Sequence, residues 1–233
     1  AFNLNQKKGH CQDGRYVQLQ FQAAKYHFVY VPFNGDGQQQ KVERRAEWDA
    51  QFLEHLRQDD ATQPRFVVGD LNVAYQPADM SPPLDFWYRQ GASVGDIEDK
   101  GFGGTTISER NRFRHLLETC HLGDTWGTSR SVFVSQSPAD RYTWRCTQGR
   151  YRGKGLRLDY VLADHTTIQA GGILESSILH NGTGNSGAMG SDHHPIWCAL
   201  HPNWEEMRSD KEMEMEVDGS PSLMANLVDT EPC

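Results

Sequence analysis

Arg65-Phe66-Val67-Val68-Gly69-Asp70-Leu71-Asn72 reads as a strand that carries polar groups to its own end. The β-branched run lies between Pro64 and Gly69 and has no polar alternation. That pattern suits a strand covered on both faces, as in the middle of an α/β sheet. Alternation along an extended segment places Asp70 and Asn72 on one side, at the C-terminal edge of the strand. α/β sheets hold their ligands at that edge.

The flanking segments supply the rest of an α/β domain. Upstream, Gly14 to Phe21 alternates, with Val17, Leu19 and Phe21 opposite Tyr16, Gln18 and Gln20, which predicts a half-buried strand. Tyr26 to Val31, ended by Pro32, predicts a second strand and a hairpin. A turn cluster, Asn34-Gly35-Asp36-Gly37, precedes a helix predicted over 40–58, whose stripe of Trp48, Phe52 and Leu56 belongs to the core. Downstream, residues 76–102 are rich in proline and glycine. Within them, Asp85-Phe86-Trp87-Tyr88-Arg89 either faces nucleic acid or is packed down by its own aromatics. Thr106 and Glu109 form a capping box for a helix that buries Phe113, Leu116 and Leu117 and stops at Gly123.

The second half repeats the pairing of strands with polar ends. Arg141 to Arg145 predicts a strand, followed by a basic bend from Gln148 to Gly155 with Arg150, Arg152 and Lys154. Leu156 to Leu162 alternates, and its Asp159 is an ionisable group inside an apolar strand, which requires a partner. A salt bridge to Arg157 or Arg145 would serve, and so would a histidine. Ile173 to Leu179 and Ile196 to Leu200 are further strands. Between them lies Gly190-Ser191-Asp192-His193-His194-Pro195, with an anionic and a cation-capable side chain adjacent. Together these suit a phosphodiester, which needs a group to hold a metal or orient water and a donor for the phosphate oxygen.

Bulk properties restrict the reading further. The 233 residues are 37% hydrophobic, enough for a packed core, and no apolar run reaches membrane length. Five scattered cysteines without a Cys-x-x-Cys pair argue against a zinc site and for reduced, intracellular thiols. Nine acidic and two basic side chains between Asn203 and Cys233 carry seven of the eight excess negative charges. The body is therefore nearly neutral, and net charge decides nothing about nucleic acid. We expect one domain over residues 1–202 and a disordered acidic tail over residues 203–233.

Taken in order, Gly69-Asp70-Leu71-Asn72-Val73-Ala74, Arg157-Leu158-Asp159-Tyr160 and Gly190-Ser191-Asp192-His193 resemble the exonuclease III-type apurinic/apyrimidinic endonucleases of the endonuclease/exonuclease/phosphatase superfamily. Tyr30-Val31-Pro32, the Arg44 to Asp49 helix segment and Ser108-Glu109-Arg110 extend the likeness, which runs from about Gly14 to Leu200. The resemblance implies a four-layered α/β sandwich of two mixed sheets flanked by helices. It implies cleavage of double-stranded DNA 5′ to an abasic site, with Mg²⁺ (Mn²⁺ as a substitute), and 3′–5′ exonuclease or 3′-phosphodiesterase action. A monomer in the nucleus or mitochondrion, with no membrane association, goes with it.

By motif, Asp70 orients or deprotonates the attacking water and Asn72 positions it. His193 contacts the scissile phosphate, Asp159 orients the imidazole, and Tyr30 touches the phosphate. Asp70, Asn72, Asp192 and His193 form the metal side, and Trp144, Leu156 and Leu158 match the abasic pocket. The family also carries a preceding half-domain with a metal-binding Glu in a Gln-Glu pair, and no Gln-Glu occurs in this sequence. The resemblance thus implies the C-terminal two-thirds of a catalytic domain, with little cleavage by the chain alone. The alternatives are an inactive fragment or pseudoenzyme, and another phosphodiesterase of the superfamily.

Overall fold

The computed structural model describes residues 14–35, 38–59, 63–81, 86, 97–126, 141–147, 149, 152–179 and 190–217. Its centre is a five-stranded mixed sheet. The strands are β1 (Tyr16–Gln20), β2 (Lys25–Tyr30), β3 (Arg65–Asp70), β7 (Asp159–Asp164) and β4 (Leu122–Asp124), in the order β1-β2-β3-β7-β4. β2 and β3 are parallel, joined by α1 (Gln39–Gln58), and the other pairs are antiparallel. The segment over residues 65–70 is thus the middle strand, as its composition predicts.

Alternation along the strands divides the core into two faces. Val67 of β3 and Tyr160 and Leu162 of β7 meet Trp48, Phe52 and Leu56 of α1 and Phe113 and Leu116 of α2 (Ile107–Thr119). Phe66 and Ala163 face the other way, toward Ile173, Cys198 and Leu200 of the antiparallel pair β8 (Ile173–Ile178) and β9 (Ile196–Leu200). Gly69 faces Val29 across the β2–β3 ladder, where an added Cβ would lie 2.1 Å from the Val29 carbonyl oxygen. Only glycine permits that approach, with φ of 139°, immediately before Asp70.

Several expectations are corrected. β1 forms, but it is not half-buried: Val17, Leu19 and Phe21 are exposed, as are Gln18 and Gln20, and only Tyr16 is partly covered. Alternation gives the period and not whether a face is covered. α2 has its Thr106–Glu109 capping box, but the helix ends at Cys120, and His121 takes the left-handed turn at φ 52°. Gly123 instead lies within β4, because Ile168 and His165 leave no room for a side chain there. The run 156–162 is two strands, β6 (Gly155–Leu156) and β7, broken at Arg157 and Leu158. β6 pairs with β5, which spans only Trp144–Arg145 of the strand expected over 141–145. The tail does not begin at residue 203: α4 (Trp204–Val217) packs on α3 (His165–Gln169). Trp204 stacks edge-on against Phe66, and Arg208 pairs with Asp164, so two anchors fold an otherwise polar segment. Phe86 is fully buried against Phe102, which favours the packed-down reading there. Asp36, Gly37, Trp87, Tyr88, Arg89, Arg150 and residues 218–233 lie outside the described residues. Among the described residues no helix is long and apolar enough to cross a membrane.

The edge of the sheet is tied to α1 by a polar chain. Tyr16 Oη lies 2.8 Å from His27 Nδ1 and 2.5 Å from His55 Nε2. Lys25 Nζ donates to Asp59 at 2.8 Å, and His27 Nε2 is 3.3 Å from the same carboxylate. Burial, with His27 beside it, pushes the His55 pKa down to about 4 against the opposing charge of Asp59. Burial opposes ionisation of Asp59, but hydrogen bonds and charge from His27 and Lys25 outweigh it and hold its carboxyl well below the usual range. For both groups the unfolded chain binds more protons in acid, so stability is full near neutrality and falls with pH. The His55 window runs from its ordinary 6.5 down to about 4, and that of Asp59 opens below its ordinary 3.8. We therefore expect the melting temperature to fall by at least ~5 °C between pH 7 and pH 4.5, with a shallower slope in His55→Gln. Equal slopes in the two proteins, by circular dichroism, would contradict this account.

Candidate active site

Three strand ends converge. Tyr30 closes β2 in register with Asp70 at the end of β3, and Asp70 pairs with Asp159 at the start of β7. The row Tyr30–Asp70–Asp159 crosses the sheet at one level. His193, from the loop before β9, enters beside it through a bridge to Trp144. Its Nδ1 is 2.8 Å from Asp159 Oδ2. This answers the question of the Asp159 partner: it is the histidine. Arg157 turns to Asp79, 2.9 Å away, and to Asp124. Thr143 Oγ1 accepts from the backbone nitrogens of Leu158 and Asp159 and fixes where β7 begins.

Asp70 and Asn72 do come together, but through a turn and not by alternation. Asn72 has φ of 47°, outside the extended region. Its backbone nitrogen donates to Asp70 Oδ1 at 2.8 Å, and its side-chain Nδ2 donates to Asp70 Oδ2 at 3.1 Å and to the Val31 carbonyl at 2.8 Å. Asn72 therefore fixes both oxygens of the Asp70 carboxylate. The turn is held from behind by Arg45, which donates to the carbonyls of Pro32, Leu71 and Asn72 at 3.0–3.1 Å. Arg45 is 2% exposed. It is legible in the sequence only as a cation at helical spacing, three residues from both Val42 and Trp48 on the buried stripe of α1. Sequence reasoning misses it, and it misses Thr143, whose hydroxyl carries no sequence signal of its role.

Ligand atoms of Asp70, Asp159 and His193 all lie within 4.8 Å of one another. Burial pushes the Asp70 carboxyl up to about 7, the negative charge of Asp159 adds to this, and His193, Asn72 and Arg45 oppose it. Burial disfavours the His193 cation, but the hydrogen bond and charge of Asp159, with Asp70 and Asp192, raise its pKa above the ordinary value. A half-buried carboxylate pair with one imidazole stabilises a positive charge between them, and its hard oxygens suit a divalent cation. The group is a candidate metal-binding site.

The remaining predicted residues separate. Asp192 is exposed and lies outside that group; its Oδ2 accepts from Trp144 Nε1 at 2.8 Å. Tyr30 is half-exposed, with the Arg15 guanidinium over its ring. Leu156 and Leu158 are closed into a core with Ala74, Met80 and Phe86, so of the pocket residues only Trp144 keeps accessible surface. In ¹H–¹⁵N NMR, His193 should titrate above an ordinary histidine, and in Asp159→Asn its midpoint should fall. An unchanged midpoint would separate the two residues.

The Endonuclease/Exonuclease/phosphatase family matches residues 7–193. A DNA-(apurinic or apyrimidinic site) endonuclease of Arabidopsis thaliana is 31% identical over 215 residues, covering 90% of this chain and 57% of that protein. The DNA repair nuclease APEX1 of Danio rerio is 30% identical over 194 residues, covering 83% and 54%. The chain thus spans a little over half the length of these relatives. The structure of an AP endonuclease from Archaeoglobus fulgidus superposes with a TM-score of 0.61 at 19% identity, over 83% of this chain and 68% of that one. With most of its length matched, and with the motif residues meeting at one sheet edge, the chain belongs to the Endonuclease/Exonuclease/phosphatase family.

Proposed function

We infer that this chain carries the catalytic face of a divalent-metal-dependent phosphodiester hydrolase that cleaves double-stranded DNA 5′ to abasic sites, acting in base excision repair in the nucleus. The observation that carries the reading is the convergence of Asp70, Asp159 and His193 at one sheet edge, with Asn72 locked to Asp70. The names of the two relatives, an abasic-site endonuclease and a DNA repair nuclease, support the choice of substrate. The same site accounts for 3′–5′ exonuclease and 3′-phosphodiesterase action, since each breaks a phosphodiester.

Water attacks phosphorus, the bond from phosphorus to the 3′ oxygen breaks with its electron pair left on that oxygen, which takes a proton from solvent, and the products are a 3′-hydroxyl and a 5′-deoxyribose phosphate. Asp70 takes the proton of the water. Asn72 keeps the acceptor oxygens oriented and positions the water. Asp159 holds Nδ1 of His193, which leaves Nε2 for a phosphate oxygen as its charge grows. Tyr30 meets the phosphate from the β2 side, and Trp144 flanks the sugar. Mg²⁺, or Mn²⁺ in its place, would be held by carboxylate oxygens of Asp70 and Asp159. It would supply charge stabilisation on the phosphate, worth several kcal/mol.

The test is a duplex oligonucleotide with one tetrahydrofuran abasic analogue, incubated with the full natural polypeptide that contains these residues. EDTA-sensitive nicking 5′ to the analogue is expected with Mg²⁺, and nicking that persists in EDTA or falls at undamaged steps would overturn the reading. Asp159→Asn and His193→Asn should each lower the rate by about 10²–10⁴-fold. The double variant should be no worse than the poorer single one, because the pair acts as a unit. Multiplying losses would show two separate functions.

A further inference from the structure

Phe33, Phe102 and Trp144 form an aromatic row beside the Asp70–His193 edge. Phe33 follows Pro32 just beyond β2, and its ring centroid lies 5.9 Å from that of Phe102, with the planes at 52°. Phe102 lies 6.0 Å from Trp144, at 32°. The row is tied to the site at each step. Val31 and Pro32, which precede Phe33, give their carbonyls to Asn72 and Arg45. Phe102 leads into Gly103 and Gly104. A Cβ on Gly103 would lie 2.4 Å from Phe33 Cε2, and one on Gly104 would lie 3.0 Å from the Asn72 carbonyl oxygen. The two glycines thus bring this segment against both the Phe33 ring and the Asn72 turn. At the other end, Trp144 is bridged to His193, and Asp192 fixes its indole nitrogen.

The row is supported but not covered. Phe102 and Trp144 pack on the small core of Ala74, Met80, Phe86, Leu156 and Leu158, yet each keeps part of its surface. Phe33 is 44% exposed. Rings already held by packing and by a hydrogen bond lose little freedom when a ligand stacks on them. We propose that this row is a stacking platform for the unpaired bases of a DNA single strand whose phosphate lies at His193, a proposal that rests on the reading of the site as a phosphodiester hydrolase. Every base has a π-face, so aromatic side chains hold a single strand without reading its sequence. In a duplex those faces are stacked on one another and are not offered. An apolar protein segment would cover the rings equally well, but only a nucleic acid strand brings a phosphate to His193 and a π-face to Phe33 at once. The platform therefore favours DNA whose bases beside the cleaved bond are unpaired.

The test is fluorescence anisotropy in EDTA, with the full natural polypeptide and three labelled DNAs of equal length. One is a single strand, one a strand of tetrahydrofuran residues with no bases, and one a fully paired duplex. No turnover enters, so the outcome is separate from the nicking assay that tests the hydrolase reading. The single strand should bind at least ~fivefold more tightly than the base-free strand. Phe33→Ala, at an exposed position, should lose at least ~fivefold on the single strand and leave the other two DNAs unchanged. Phe33→Trp should keep the affinity, because it keeps a π-face. Equal binding of the single and base-free strands, no loss in Phe33→Ala, a loss shared by all three DNAs, or a loss in Phe33→Trp as large as in Phe33→Ala would each overturn the proposal.

Discussion

The guanidinium of Arg45 is the contact on which the arrangement of the site depends. It is buried beneath α1 and draws together the carbonyls of Pro32, Leu71 and Asn72, which belong to the segments leaving β2 and β3. Those carbonyls lie beyond the ends of their strands and have no ladder partner to satisfy them. A cation delivered from the helix meets all three at once, and the turn it stabilises holds Asn72 in a left-handed conformation. Asn72 then donates twice to Asp70. Helix packing, strand termination and orientation of the Asp70 carboxylate are thus parts of one network, which Asp49 and Arg112 extend to α2.

The second constraint is electrostatic. The antiparallel register of β3 and β7 places Asp70 opposite Asp159, two carboxylates at one level of a half-buried sheet edge. Such a pair is unfavourable unless a cation approaches, and His193 approaches both, with Arg45 behind Asp70. Its bond to Asp159 raises its affinity for a proton, while burial first, and the charge of Asp159 second, raise that of Asp70. The same mutual repulsion of the two carboxylates would favour a divalent ion between them, and in the proposed reaction such an ion would neutralise the charge of the phosphodiester.

Much of this architecture is legible in the residues themselves. The β-branched run of β3 marks the central strand, the apolar stripe of α1 its position in the core, and the capping box of Thr106 and Glu109 the start of α2. The order of Asp70-Leu71-Asn72, Asp159 and Asp192-His193 points to the family. What is not legible is hidden for physical reasons. Alternation in β1 reports periodicity but not burial, so Val17, Leu19 and Phe21 look like a covered face and lie exposed. The acidic composition after Pro202 conceals α4, because two residues, Trp204 and Arg208, anchor it and average composition does not register two residues. Asp192 and His193 adjoin in sequence, yet only His193 joins the carboxylates, since neighbouring residues on a loop diverge. Arg45 and Thr143 act through backbone atoms, and the identity of a side chain does not announce that role.

The central claim is that Asp70, Asp159 and His193 form a single site for a divalent ion and a DNA phosphate. It is tested most directly by a crystal structure of the full natural polypeptide with Mn²⁺ and a duplex carrying a tetrahydrofuran abasic analogue. The account predicts a manganese anomalous peak ligated by carboxylate oxygen of Asp70 or Asp159, with the phosphate 5′ to the analogue within hydrogen-bond distance of His193 Nε2. A manganese peak bound by neither carboxylate, or a duplex whose scissile phosphate lies away from His193, would contradict it.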